Sequence, residues 1–130
     1  MLVVLGLERG RLLDYLPTVL KFFSNNRRPI VVLDHEVDKL CPPEAKKTAE
    51  RIARMRDYDF IIATCNPYVL TSLILKSSAS QLTVLIAKDD GSGNVEFRRL
   101  TTTQIEEILD LEVDVFFNID KFFEEAPPLV

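Results

Sequence analysis

Apolar residues occur in short runs along the chain, separated by segments in which apolar side chains recur at helical spacing. Residues 1–7 are apolar apart from one glycine and predict a strand, and residues 10–25 have the periodicity of a helix. Residues 29–33 and 60–63 are apolar runs, which are typical of strands buried on both faces of a parallel sheet. The pattern therefore predicts a mainly parallel sheet with helices on each side.

Prolines and capping residues predict where the helices begin and bend. Pro17 is expected to kink the first helix or to mark a restart, because proline lacks a backbone donor. Pro42 suits the first turn of a second helix with an alanine-rich apolar stripe. Asn66 followed by Pro67 has the pattern of an N-cap and first helical residue, and predicts a third helix over residues 68–77.

The C-terminal part of the chain predicts a hairpin and two helices. Residues 82–87 and 95–100 are expected to form antiparallel strands joined by the glycine-containing loop at residues 89–94. A short helix should follow, with a capping box drawn from Thr102 or Thr103 and Glu106 or Glu107. A Phe-rich last helix is predicted over residues 113–124.

The order of these elements and the composition predict one α/β domain over residues 1–130, built as a three-layer sandwich. A content of 47% hydrophobic and 28% charged residues fits a packed domain. The apolar runs are far too short to cross a bilayer and no charged leader precedes them, so we expect a cytoplasmic protein. The net charge of −4 gives no general attraction to nucleic acid.

Polar side chains follow two of the predicted parallel strands. Asp34, His35 and Glu36 follow the strand at residues 29–33, and Thr64-Cys65-Asn66 follows the strand at residues 60–63. Because the C-terminal ends of parallel strands form the usual site of chemistry in such sheets, these two segments are the candidate site.

Both segments resemble parts of a known enzyme family. Residues 30–42, Ile-Val-Val-Leu-Asp-His-Glu-Val-Asp-Lys-Leu-Cys-Pro, resemble the Walker B segment and following loop of ABC-type P-loop ATPases of the SMC and OLD-like group. Residues 60–70 resemble the switch-histidine segment of those ATPases, and residues 84–100 look like the end of such domains. The resemblance covers about residues 29–111 and implies a P-loop-NTPase-like C-terminal half of an ATPase domain.

The resemblance implies roles for individual residues. Asp34 matches the Walker B aspartate, which orients magnesium through water, and is the implied metal-binding residue. His35 stands in place of the glutamate that polarises the attacking water, and with Asp34 and neighbouring Glu36 it completes the candidate catalytic set. Cys65 replaces the switch histidine, so Asp34, Cys65 and Asn66 are the implied nucleotide-binding residues.

The phosphate-binding loop of the resembled family, G-x-x-x-x-G-K-[ST], has no match in the 130 residues. Gly6 and Gly10 are the nearest approach, but the lysine and the hydroxyl are missing. Magnesium and ATP are therefore expected only if a partner supplies the loop, and the chain alone is not expected to hydrolyse ATP. If the strand that leads into this loop is missing as well, one edge of the sheet is left unpaired. Residues 1–7, a second copy of the chain or another protein would then have to cover it.

The first hypothesis for function is a degenerate ATPase-like module with a binding or regulatory role, working as a homodimer or with a protein partner. A second is an ATPase half-domain completed by a partner's phosphate-binding loop. A third is a small magnesium-dependent nuclease resembling Toprim domains, with Glu8 at the end of the first strand and an acidic cluster of Asp34, Glu36 and Asp38.

Other interpretations of the same residues remain open. Asp34 can simply cap the loop after its strand, and His35, Cys41 and Cys65 form a set of soft ligands suited to zinc if they converge. The Phe-rich helix either packs on the sheet or docks a partner, since its phenylalanines exceed what one short helical face buries. The phenylalanines concerned are Phe116, Phe117, Phe122 and Phe123.

Overall fold

The computed structural model describes residues 1–23, 27–78, 81–111 and 114–129. The chain forms one five-stranded sheet with the strand order β2-β3-β1-β4-β5. The first four strands in this order are parallel, and β5 runs antiparallel to β4. The strands are β1 (Leu2–Leu5), β2 (Ile30–Asp34), β3 (Asp59–Ala63), β4 (Thr83–Asp89) and β5 (Val95–Arg99).

Helices connect the parallel strands and follow the hairpin. The α-helices are α1 (Leu16–Val19), α2 (Pro42–Arg54), α3 (Pro67–Lys76), α4 (Thr102–Asp110) and α5 (Ile119–Glu125). Short 3-10 helices span Leu12–Tyr15, Leu20–Phe23 and Glu36–Lys39. The α/β class and the mainly parallel sheet are thus confirmed, and the arrangement is compatible with a three-layer sandwich.

The first predicted helix is broken into three short pieces. Pro17 lies in the first turn of α1, and 3-10 helices flank α1 on both sides, which agrees with the restart expected at this proline. The predicted end at Asn25 lies outside the described residues. The layer on this face of the sheet is therefore thin, with Leu12 and Val19 as its fully buried side chains.

The opposite face of the sheet carries the larger core. The apolar side chains of α2 and α3 pack there against residues of β1, β3 and β4, and α4 and α5 extend the same layer. Strands β1 and β3 are buried along their whole length because they have neighbours on both sides and helices on both faces.

The position of β1 corrects one expectation from the sequence. The first strand does not cover a sheet edge, because β1 pairs with β3 on one side and with β4 on the other, at the centre of the sheet. The edges are β2 and β5. The prediction that β2 is buried on both faces is also wrong: its five residues are all half-buried, since β2 pairs only with β3.

The C-terminal hairpin is confirmed, and the helix after it begins one residue earlier than predicted. Thr101 is the N-cap of α4, and Gln104 completes the capping box in place of the predicted glutamates. Gln104 takes this role because it is the third residue after the N-cap, and its carboxamide also donates to the Phe122 carbonyl at 2.8 Å. A glutamate has no donor for that contact.

The Phe-rich helix is shorter than predicted, with α5 beginning at Ile119, and residue 113 lies outside the described part of the chain. Phe122 and Phe123 are buried and Phe116 packs against the core, whereas Phe117 is 90% exposed. Core packing therefore accounts for three of the four phenylalanines. No helix in the described part of the chain is both long enough and apolar enough to span a membrane.

Candidate functional site

The two polar segments predicted to form a site do meet at one end of the sheet. Strands β2 and β3 are in register with Asp34 opposite Ala63, so the residues that follow each strand become neighbours. The His35 amide donates to the Ala63 carbonyl at 2.8 Å, and the Thr64 amide donates to the Val4 carbonyl at 3.1 Å. The ends of β1, β2 and β3 are thereby fastened together.

His35 has an unusual backbone and two engaged ring nitrogens. Its φ of 67° places it in the left-handed region, where it is the only non-glycine residue with positive φ among those described. The ring is buried, with Nε2 2.7 Å from the carbonyl oxygen of Leu7 and Nδ1 2.6 Å from Oδ2 of Asp38. Because a carbonyl can only accept, Nε2 carries a proton.

Asp38, on the 3-10 helix after β2, is the hub of the site. Its Oδ1 accepts a hydrogen bond from the Thr64 hydroxyl, and both carboxylate oxygens lie 3.2 Å from the Cys65 amide. Burial opposes ionisation of this carboxyl group, but the hydrogen bonds from Cys65, Thr64 and His35 outweigh it, so the pKa of Asp38 is lowered. Asp38 is therefore ionised and accepts hydrogen bonds from residues that follow both β2 and β3.

Cys65 donates its thiol to Asp38, with Sγ 2.9 Å from Oδ2. This hydrogen bond, together with partial burial and the negative charge of Asp38, raises the pKa of Cys65 to about 11. The thiol is therefore neutral near neutral pH in the metal-free protein, and its nucleophilicity is low.

Asn66 is committed to structure on both sides of its carboxamide. The Oδ1 atom accepts from the amides of Tyr68 and Val69 at 3.0 and 3.4 Å, which confirms the predicted N-cap of α3. The Nδ2 group donates to the carbonyls of Val37 and Leu40 at 3.3 and 3.1 Å. Both polar atoms of this side chain therefore have hydrogen-bond partners within the protein.

Asp34 and Glu36 lie on the outer side of the same strand end. Oδ1 of Asp34 is buried without a hydrogen-bond partner and lies 3.8 Å from Nε2 of His35. Glu36 is exposed, and both residues line a shallow groove with Leu13 and Val32. The structure therefore brings Asp34 and His35 together and leaves Glu36 at the surface.

The donors at this end of the sheet do not suit magnesium. Within the described residues, one group of three potential ligands converges: an oxygen of Asp38, a nitrogen of His35 and the sulfur of Cys65 lie within 4.8 Å of one another. Magnesium prefers an octahedron of oxygen ligands, whereas this group has one oxygen donor and does not include Asp34. Among the described residues, Glu8, Asp34 and Glu36 likewise do not converge into the acidic cluster that a Toprim-like site requires.

The set of His35, Cys41 and Cys65 predicted for zinc does not form, although His35 and Cys65 do converge. Cys41 is exposed and its thiol lies 2.6 Å from an oxygen of Glu44, so it is not part of the converging group. Asp38 takes its place. The only signal for this role in the sequence is that Asp38 lies three residues after His35, in the turn that follows β2.

Comparison of the chain with protein-family models, with curated proteins and with solved structures gave no match in any of the three.

Proposed function

We propose that this chain is a degenerate ATPase-like module that does not hydrolyse ATP on its own and that acts by binding, with a second copy of the chain as its partner. The first part rests on one observation, which is that side chains of the candidate site are hydrogen-bonded to one another. His35 and Cys65, which stand where an ATPase has the residues that contact the attacking water and the γ-phosphate, are both hydrogen-bonded to Asp38.

Within the described part of the chain, the side chains of His35 and Cys65 are both engaged in hydrogen bonds, whereas those of Asp34 and Glu36 are not. Both ring nitrogens of His35 face acceptors, so neither is free to take a proton from water. Cys65 donates its thiol to Asp38. The turn after β1 contains Gly6 and Gly10 but neither a lysine nor a hydroxyl between them, so it offers no charged contact to a phosphate apart from Arg9.

The second part of the proposal rests on the free edge of the sheet. Strand β2 pairs only with β3 among the described strands, and its apolar residues are half-exposed along their whole length. On one face, Val32 and Leu13 line the shallow groove beside this edge, and Leu13 is 65% exposed. An apolar edge strand beside exposed apolar surface favours pairing with another strand.

The distribution of charge along β2 favours a second copy of the chain as the partner at this edge. Arg27 precedes β2, next to Arg28, which pairs with Asp59 of the same chain, whereas Asp34 ends the strand and Glu36 follows it. A two-fold axis through the middle of β2 pairs two copies of the strand antiparallel, so the basic start of one strand lies beside the acidic end of the other. A parallel pairing would place like charges together.

The first test is titration of the purified chain with ATP and magnesium by calorimetry, together with a phosphate-release assay. We expect neither binding heat at millimolar nucleotide nor turnover, in the wild type and in Asp34→Ala alike. Turnover that Asp34→Ala abolishes would contradict the non-hydrolytic part of the proposal.

The second test is sedimentation of the wild type, Leu13→Lys and Leu75→Lys over a range of concentrations. Leu75 is the matched control, because it is 64% exposed and lies on α3. We expect a dimer in the wild type and in Leu75→Lys, and a monomer in Leu13→Lys. A monomeric wild type, or equal effects of the two lysines, would refute pairing at β2.

A further inference from the structure

Three side chains at the ends of β2 and β3 have the chemistry and placement of an open metal site. Nδ1 of His35 lies 2.6 Å from Oδ2 of Asp38, and the same oxygen lies 2.9 Å from Sγ of Cys65. Nitrogen, oxygen and sulfur donors together favour a borderline ion such as Zn²⁺ over Mg²⁺. We propose that His35, Asp38 and Cys65 bind a zinc ion, with water as the fourth ligand.

The surroundings of His35 provide independent support. The Leu7 carbonyl accepts a hydrogen bond from Nε2 at 2.7 Å, which fixes the ring orientation and leaves Nδ1 to face Asp38 and Cys65. Zinc-binding histidines usually donate their second ring nitrogen to a carbonyl or carboxylate in this way. A carboxylate opposite Nδ1 requires a positively charged species between them, and a zinc ion satisfies this as well as a proton does.

The second ligand is oriented in the same manner. The Thr64 hydroxyl donates to Oδ1 of Asp38 and the Cys65 amide lies 3.2 Å from both carboxylate oxygens, with Oδ2 directed at His35 and the thiol. The buried Oδ1 of Asp34, which has no hydrogen-bond partner, lies 3.8 Å from Nε2 of His35. Both protein ligands from the β2 side are thus held before an ion arrives.

The present separations are those of hydrogen bonds, and the ion would widen them modestly. Tetrahedral zinc ligands at about 2.0–2.3 Å from the ion lie roughly 3.3–3.6 Å apart, so the donors must separate by several tenths of an ångström. Zinc replaces two protons, one from the thiol and one from Nδ1, and both leave to solvent. Cys65 is exposed, which gives the ion a route into the site and leaves room for water.

The test uses the full chain freed of metal by a chelator and titrated with zinc chloride by calorimetry. Cobalt binding is followed in parallel by absorption, because thiolate coordination adds a sulfur-to-metal charge-transfer band. We expect one ion per chain and a rise in Tm with zinc. Cys41→Ser should behave as the wild type, since Cys41 bonds to Glu44 and lies outside the group.

Two variants identify the ligands. Cys65→Ser keeps a donor to Asp38 and should lose the charge-transfer band and weaken zinc binding by at least about 10- to 100-fold. His35→Asn removes the imidazole while suiting the left-handed backbone, and should also abolish the zinc-dependent rise in Tm. Absence of binding in the wild type would overturn the proposal, as would a charge-transfer band retained in Cys65→Ser and lost in Cys41→Ser.

Discussion

The carboxylate of Asp38 and the amide of Cys65, 27 residues apart in sequence, join the turn after β2 to the end of β3, with the amide nitrogen 3.2 Å from each carboxylate oxygen. The Thr64 hydroxyl donates to the same carboxylate. Strand β2 is held by its backbone ladder with β3, but its side chains are only half-buried. Asp38 is therefore expected to contribute strongly to the stability of this end of the sheet.

Asp38→Ala should lower the free energy of unfolding by about 2–4 kcal/mol, because it leaves the Thr64 hydroxyl and His35 without their acceptor. Glu36→Ala is the control, since Glu36 lies on the same 3-10 helix and is exposed; we expect a change within about 0.5 kcal/mol. Urea denaturation of the metal-free protein measures both. Equal effects of the two substitutions would contradict the role of Asp38 as a hub.

The Asn66 carboxamide has two roles: its oxygen caps α3, and its nitrogen donates to the turn after β2. Asn66→Asp keeps the acceptor for the amides of α3 but replaces the group that donates to Val37 and Leu40 with a carboxylate oxygen facing two carbonyls. We expect Asn66→Asp to be destabilised by about 2–3 kcal/mol although it retains a good N-cap. Thr101→Asp tests the cap alone at α4 and should change stability by less than about 1 kcal/mol. If Asn66→Asp is as stable as the wild type, the hydrogen bonds from Nδ2 to Val37 and Leu40 contribute nothing to stability.

Gly6 and Gly10 follow β1, both with positive φ, but only Gly6 is crowded. A Cβ on Gly6 would collide with the Ala87 carbonyl oxygen of β4, whereas one on Gly10 meets no atom within 4 Å. Gly10→Ala should therefore cost about 1–2 kcal/mol from backbone strain alone. Gly6→Ala should cost about 3 kcal/mol or more, because β1 and β4 must also move apart. Thermal unfolding of the two variants distinguishes them, and equal Tm losses would exclude close packing as the reason for Gly6.

Local signals in the sequence predicted the elements well, because they report properties of neighbouring residues. Asn66 was identified as an N-cap from its own position before Pro67, and the strands were identified from their apolar runs. The placement of β1 between β3 and β4 could not be predicted in this way, since all interior parallel strands have the same apolar pattern. The burial of β2 was overestimated for the same reason.

The meeting of the two strand ends could be predicted from the sequence, but the contacts that join them could not. The ends of β2 and β3 meet as expected, yet the acceptor that joins them is Asp38 and not Asp34. The side chain of Asp38 returns to the site only because His35 adopts the left-handed conformation before the 3-10 helix. The residue pattern does not reveal that a histidine adopts the left-handed conformation. The sequence alone therefore does not show that Asp38, and not Cys41, converges with His35 and Cys65.

Arg98 fastens the C-terminal helix to the edge of the sheet. Its guanidinium lies 4.2 Å from the ring centroid of Phe123, and Nη1 donates to the carbonyls of Phe123 and Ala126 at 3.1 and 3.4 Å. Arg98→Lys keeps the charge but loses the planar contact and the fixed directions of the donors, so we expect a loss of about 1–2 kcal/mol. The loss should be local, with faster hydrogen exchange at the amides of α5 and little change in β1 or β3. Arg99→Lys is the control because that exposed side chain alternates to the opposite face of β5. If both lysine variants leave exchange in α5 unchanged, Arg98 does not hold the helix, and the burial of Phe122 and Phe123 is sufficient to dock it.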